Sequence, residues 1–136
     1  MANFCFISGH LDLTEEEFDK HYSARILNAI KMKWSFVVGD AKGADLMAQR
    51  FIKQHGGLAL VFHMFTKPRN NVGFTTLGGF NTDEERDAAM TAISRGDIAW
   101  VRKGRGKGGT QANIDRRGRR LASANQRCNT DGGSQC

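Results

Sequence analysis

No run of apolar residues in the chain reaches the roughly 18 needed to cross a membrane. The opening MANFCFISGH also lacks a basic stretch followed by a long apolar one. Membrane spanning and secretion are therefore not expected, and a reducing cytoplasm is the default compartment. Only three cysteines occur, Cys5 in an apolar run and Cys128 and Cys136 among polar residues. An odd count at scattered positions gives neither a zinc-ligand spacing nor a disulfide framework. No GxGxxG directly follows the first apolar run and no GxxxxGK[ST] occurs anywhere, so the common first-strand dinucleotide and P-loop fingerprints are missing. No repeat at a fixed period and no linker-like stretch divides the chain.

What is present is ordinary domain composition: 136 residues, 40% hydrophobic and 25% charged, with 16 Gly and one Pro. A chain of this size buries about 68% of its unfolded surface and needs no staple. One domain is expected over 1–121, followed by a polar, frayed tail over 122–136. The net charge of +6 is concentrated. Between Arg102 and Arg120 eight basic residues accompany one acid, Asp115, a net of +7, and the remainder nets −1. Such a segment attracts phosphate-bearing partners, nucleotide or polynucleotide, although a solvated basic face has the same composition.

Short apolar runs alternate with helical patterns. Residues 3–8 (NFCFIS), 35–38 (SFVV), 58–64 (LALVFHM) and 97–101 (DIAWV) read as strands buried on both faces. Thr14 followed by three glutamates is a capping box, and Phe18, Tyr22, Ile26, Leu27 and Ile30 continue one apolar face to about Lys31. Further helices are expected over 43–54, over 82–94 behind a second Thr-x-x-Glu box at Thr82, and over 109–121. Residues 65–81 show no helical period and hold the only Pro, so they read as a long loop. Strands alternating with helices predict a small Rossmann-like, three-layer α/β/α domain with a mostly parallel sheet.

Ligands of such sheets bind beyond the carboxyl ends of the strands, near the point where strand order reverses. The loops predicted there share a chemistry. Ser8-Gly9-His10 follows the first strand, Gly39-Asp40-Ala41-Lys42-Gly43-Ala44-Asp45 the second, and Arg102 to Thr110 the last. Glycine lets backbone approach a ligand, and the N–H groups opening a helix bind phosphate oxygens. Gly39, Gly43, Gly108 and Gly109 are the candidates for that task.

The set formed by Ser8-Gly9, GDAKGAD, the Arg86-Asp87-x-x-Met90 segment and Gly108-Gly109-Thr110 resembles the SLOG superfamily over about residues 3–117. That superfamily includes the lysine-decarboxylase-like LOG proteins and the DprA DNA-processing proteins. GDAxGAD is the most specific piece and is similar to the small YspA-like branch. The resemblance implies a Rossmann-like fold that holds a nucleotide or nucleotide-derived ligand, nucleoside phosphate or ADP-ribose-like, through glycine-rich loops. It implies ligand contacts from Ser8, Gly9, Gly39, Asp40, Lys42, Gly43 and Asp45. It further implies a phosphate contact from Arg86 and a phosphate cradle at Gly108, Gly109 and Thr110. The enzymatic LOG branch carries a Glu where this chain has Asn113, and an amide cannot transfer a proton as a carboxyl does. Binding without hydrolysis is accordingly expected, with no cofactor and no metal.

Other readings stay open at this point. Asp40 and Asp45 serve equally well as turn and capping residues, and Arg86 as a partner of Asp83. If the protein is a phosphoribohydrolase, N-glycosidase or deoxyribosyltransferase-like enzyme, Asp40 is the candidate nucleophile and His10 the candidate acid–base group. Single-stranded DNA binding through Arg102–Arg120, as in DprA-like proteins, is a further alternative. Self-association is left open.

Overall fold

A computed structural model describes residues 3–105 and 108–130, with side chains to 119. Among them five strands form one all-parallel sheet: β1 (Phe4–Ile7), β2 (Ser35–Gly39), β3 (Ala59–Met64), β4 (Thr75–Phe80) and β5 (Gly96–Ile98). Their order is β4-β3-β2-β1-β5. The helices are α1 (Glu15–Phe18), α2 (Ala24–Lys31), α3 (Ala44–Gln54), α4 (Asp83–Ile93) and α5 (Gly109–Thr130). The expected Rossmann-like α/β architecture is present.

Alternation along the central strands explains the layers. Ile7, Phe36, Val38 and Val61 face one side, where they pack with Phe18, Tyr22, Ile26, Ala48 and Ile52 of the first three helices and the segment between α1 and α2. Phe6, Val37 and Phe62 face the other side and meet Met90 of α4. Because both faces are covered, β1 to β3 read as continuous apolar runs.

The first helix starts as its capping box requires, with Glu17 N–H donating to Thr14 Oγ1 at 3.1 Å and Thr14 N–H to Glu17 Oε1 at 3.0 Å. Its single expected length is interrupted by a π-helical turn, Asp19–Ser23, between α1 and α2. Tyr22 lies in that turn, fully buried and stacked on Phe18 at 5.4 Å. At Thr82 the box is one-sided. Thr82 Oγ1 accepts from Glu85 N–H, while Glu85 Oε2 accepts from Asn81 N–H instead of Thr82.

Three expectations need correction. The long loop over 65–81 contains β4, a sheet-edge strand whose residues 75–79 are exposed, so TTLGGF carries no apolar signal. The strand expected over 97–101 is paired only through Ile98. Beyond it Trp100 N–H donates to Tyr22 Oη at 3.1 Å and Arg102 N–H to the His10 ring, so side chains replace the ladder. The last helix continues to Thr130, past the helix end expected at 121, while residues 131–136 lie outside the described residues. Among the described residues no helix is long and apolar enough to cross a membrane.

The chain runs β1 to β4 in one direction across the sheet and then returns to place β5 on the far side of β1. Strand order therefore reverses beside β1.

Candidate functional site

A cleft of about 550 Å³ opens at this reversal, beyond the carboxyl ends of β1 and β2. The loop after β1 supplies Ser8, Gly9 and His10, the loop after β2 supplies Gly39 and Lys42, and α3 supplies Asp45. Arg86 comes from α4, and Gly108, Gly109 and Thr110 form the first turn of α5 and its approach. Ten of the twelve residues singled out from the sequence thus line one cleft. Asp40 and Gly43 do not.

Asp40 is wholly buried and serves as an ion-pair hub. Its Oδ2 accepts from Arg69 N–H at 2.8 Å and from Arg69 Nε at 3.1 Å. Its Oδ1 accepts from Arg69 Nη2 and Arg86 Nη1, both at 2.8 Å. Burial pushes the carboxyl up, but these bonds and the two guanidinium charges prevail and hold it below the usual range. A carboxylate so engaged is a poor nucleophile, and it stands behind the cleft wall.

Gly43 is required by the turn. Its φ is +73°, and a Cβ there would strike the backbone of Leu11 and His10. Packing also explains Gly9 and Gly39. A Cβ on Gly9 would lie 2.5 Å from Ala44 Cβ, and one on Gly39 would lie 2.5 Å from Asp45 Oδ2 and 3.1 Å from Arg86 Cζ. Gly109 differs, because a Cβ there meets no protein atom within 4 Å, and at Gly108 the nearest is Arg105 O at 3.7 Å. Among the described residues, only these two glycines face open space at the cleft.

The first turn of α5 has donors to offer. Ala112 N–H donates to Gly108 O at 3.1 Å, so the N–H groups of Gly109, Thr110 and Gln111 precede that helical bond. Ser8 Oγ, in the same cleft, is buried with no hydrogen-bond partner among the described residues. A buried hydroxyl left unpaired carries a desolvation cost that a ligand atom can relieve.

His10 presents its ring differently from an acid–base catalyst. Arg102 N–H donates to Nε2 at 2.8 Å, which places the neutral ring's proton on Nδ1. Burial, then the charges of Arg102 and Arg105, lower its pKa further below 6.5, so the ring is neutral at pH 7. Its basic nitrogen is already occupied, which removes the general-base role expected of it. Asn113 is likewise engaged, donating to Asp87 Oδ2 at 3.2 Å and accepting from Arg116 Nη1 at 2.6 Å.

Arg86 reaches Asp83, the alternative partner weighed above, and Asp40 and Asp87 hold it as well, at 2.8 and 3.0 Å. Asp45 is the remaining acid at the cleft floor. Burial, with Asp87 and Asp40 reinforcing it against Arg86, pushes its carboxyl up to about 7. Arg69 escaped the sequence reading because no local pattern marks it. Its role arises from its contact with Asp40, 29 positions away.

Three cations of the basic segment are paired with acids. Arg102 binds Glu17 and Asp12, Arg105 binds Asp12, and Arg117 binds Asp97 together with carbonyls of Thr91 and Ser94. Lys107 falls outside the described residues. Comparison with protein-family models, with curated proteins and with solved structures yields no match.

Proposed function

We propose that the cleft binds the phosphate end of a nucleotide or nucleotide-derived ligand, nucleoside phosphate or ADP-ribose-like, with a phosphate on the first turn of α5. The observation that carries this reading is the pairing of an open helix N-terminus at Gly109–Gln111 with the unpartnered Ser8 hydroxyl, at the place where strand order reverses. Partial positive charge at the helix start and three backbone donors favour an anion of phosphate shape. Lys42, which is exposed and lines the cleft, adds a mobile cation.

Binding, and not turnover, is the activity proposed. Asp40 is paired and buried, the His10 basic nitrogen is occupied, and Asn113 stands where a LOG-type hydrolase would carry its Glu. The likeness to SLOG proteins supports the same reading. Polynucleotide binding is less well supported, since Arg102, Arg105 and Arg117 are engaged by the protein's own acids.

Substitution of Gly109 tests the site. A Cβ at Gly109 meets no described protein atom within 4 Å, so the melting temperature of Gly109→Val should stay within a few degrees of wild type. It would project where a phosphate must approach. Calorimetric titration with ADP and ADP-ribose should show binding to the wild type and at least a tenfold loss in the variant. Equal affinity in both proteins would remove the proposed phosphate position.

A further inference from the structure

Two loops at the cleft mouth are joined by four side chains. Asp12 and Glu17, from the β1 side, meet Arg102 and Arg105, from the segment that leads into α5. Arg102 is held twice. Its Nε and Nη2 bind the two oxygens of Glu17 at 2.9 and 2.6 Å, and its Nη1 lies 3.2 Å from Asp12 Oδ1. Its backbone N–H is fixed on His10. Loss of Asp12 would therefore leave Arg102 in place.

Arg105 is bound differently. Among the described residues its guanidinium meets only Asp12, with Nη2 at 2.9 Å from Oδ2 and Nη1 at 3.3 Å from Oδ1. The two side chains are 50% and 56% exposed, so water reaches the pair and it can exchange. Both residues line the cleft, and Arg105 O accepts from Gly108 N–H at 3.3 Å, immediately before the turn that receives the phosphate. A two-pronged carboxylate on a guanidinium has the same hydrogen-bonding pattern as two oxygens of a phosphate.

We infer that Arg105 is a phosphate-binding residue held in reserve and that Asp12 is a built-in competitor, occupying the guanidinium until a ligand phosphate displaces it. The inference rests on the phosphate position proposed above. It adds a contact from a residue that the sequence does not distinguish from its basic neighbours. It also makes Asp12 a brake on affinity, since binding must first break the pair. Glu17 keeps Arg102 and the two loops joined while Arg105 turns from one anion to the other.

Calorimetric titration of ADP into the full chain and three variants tests this, with adenosine as the control lacking phosphate. Asp12→Asn removes the competing charge while keeping the side chain's size, and should tighten ADP binding roughly threefold or more, with adenosine unaffected. Arg105→Ala should weaken ADP binding about tenfold. In the double variant the gain from Asp12→Asn should vanish, leaving the affinity of Arg105→Ala. The gain should also shrink as salt rises, because the pair is exposed. Melting curves identify any variant that fails to fold, and Asp12→Ser then replaces Asp12→Asn. ADP bound by wild type with equal or lower affinity for Asp12→Asn would overturn the competitor role while sparing the phosphate site. Equal loss of ADP and adenosine binding in Arg105→Ala would overturn the phosphate contact. If ADP binds none of the four proteins, both the site and its brake are wrong.

Discussion

Asp45 receives one hydrogen bond from the described residues, from Ala41 N–H at 3.2 Å, and stands near Asp40 and Asp87 in a poorly solvated corner. Its pKa of about 7 lies above the 3.8 of an unperturbed aspartate, so the folded state keeps a proton that the unfolded chain has lost. The resulting stability is fully present below about pH 4 and is lost as pH rises through 7. Asp45→Asn has no such proton and keeps the acceptor for Ala41. Urea unfolding at pH 4 and pH 8 should therefore show the variant gaining on wild type by up to roughly 4 kcal/mol between the two. A pH-independent difference would mean that Asp45 ionises freely. Asp12 and Glu17 are opposite cases. Arginine hydrogen bonds pull both carboxyls down to about 2, so the stability they confer is present above about pH 4 and is lost only as pH falls towards 2.

At the scale of elements, the π-turn between α1 and α2 places Tyr22 where it joins two strand ends. Its hydroxyl donates to Ser8 O at 2.7 Å and accepts from Trp100 N–H at 3.1 Å. Burial raises the phenol to about 12, so these roles persist at any ordinary pH. Tyr22→Phe leaves a buried carbonyl and a part-buried N–H without partners and should cost about 1–3 kcal/mol, with the Trp100 amide exchanging faster. An unchanged amide would show that the strand β5 exit is held by other contacts, such as Arg25 to the Asp97 and Ala99 carbonyls. The same elements explain what could be read from the sequence. β1, β2 and β3 are covered on both faces and appear as apolar runs, whereas β4 is an exposed edge with two glycines and looks like a loop. The capping box at Thr14 is a local signal and marks a helix start to the residue. The π-turn is not local in origin, since Tyr22 is drawn to strand ends 14 and 78 positions away.

For the whole molecule, the governing feature is the return of the chain from β4 across the sheet to β5, which opens a cleft beside β1. The three loops that frame it could be recognised because glycines and charged residues interrupt the pattern directly after apolar runs. The roles inside them could not. Gly9, Gly39 and Gly43 answer to protein packing, and only Gly108 and Gly109 are left open to a ligand. In the +7 segment, conspicuous in sequence, Arg102, Arg105 and Arg117 are paired with Asp12, Glu17 and Asp97 once folded. What remains is a cleft lined by a helix start, by a hydroxyl unpaired among the described residues, and by the acids Asp45 and Asp87. The proposed ligand would lie with its phosphate towards α5.

The most direct test of this orientation is to follow backbone amide chemical shifts while ADP is added to ¹⁵N-labelled protein. Large shifts at Gly109, Thr110 and Gln111, together with Ser8, and absent when adenosine replaces ADP, are the predicted result. Shifts that avoid the first turn of α5, or that are the same for ADP and adenosine, would contradict a phosphate site there.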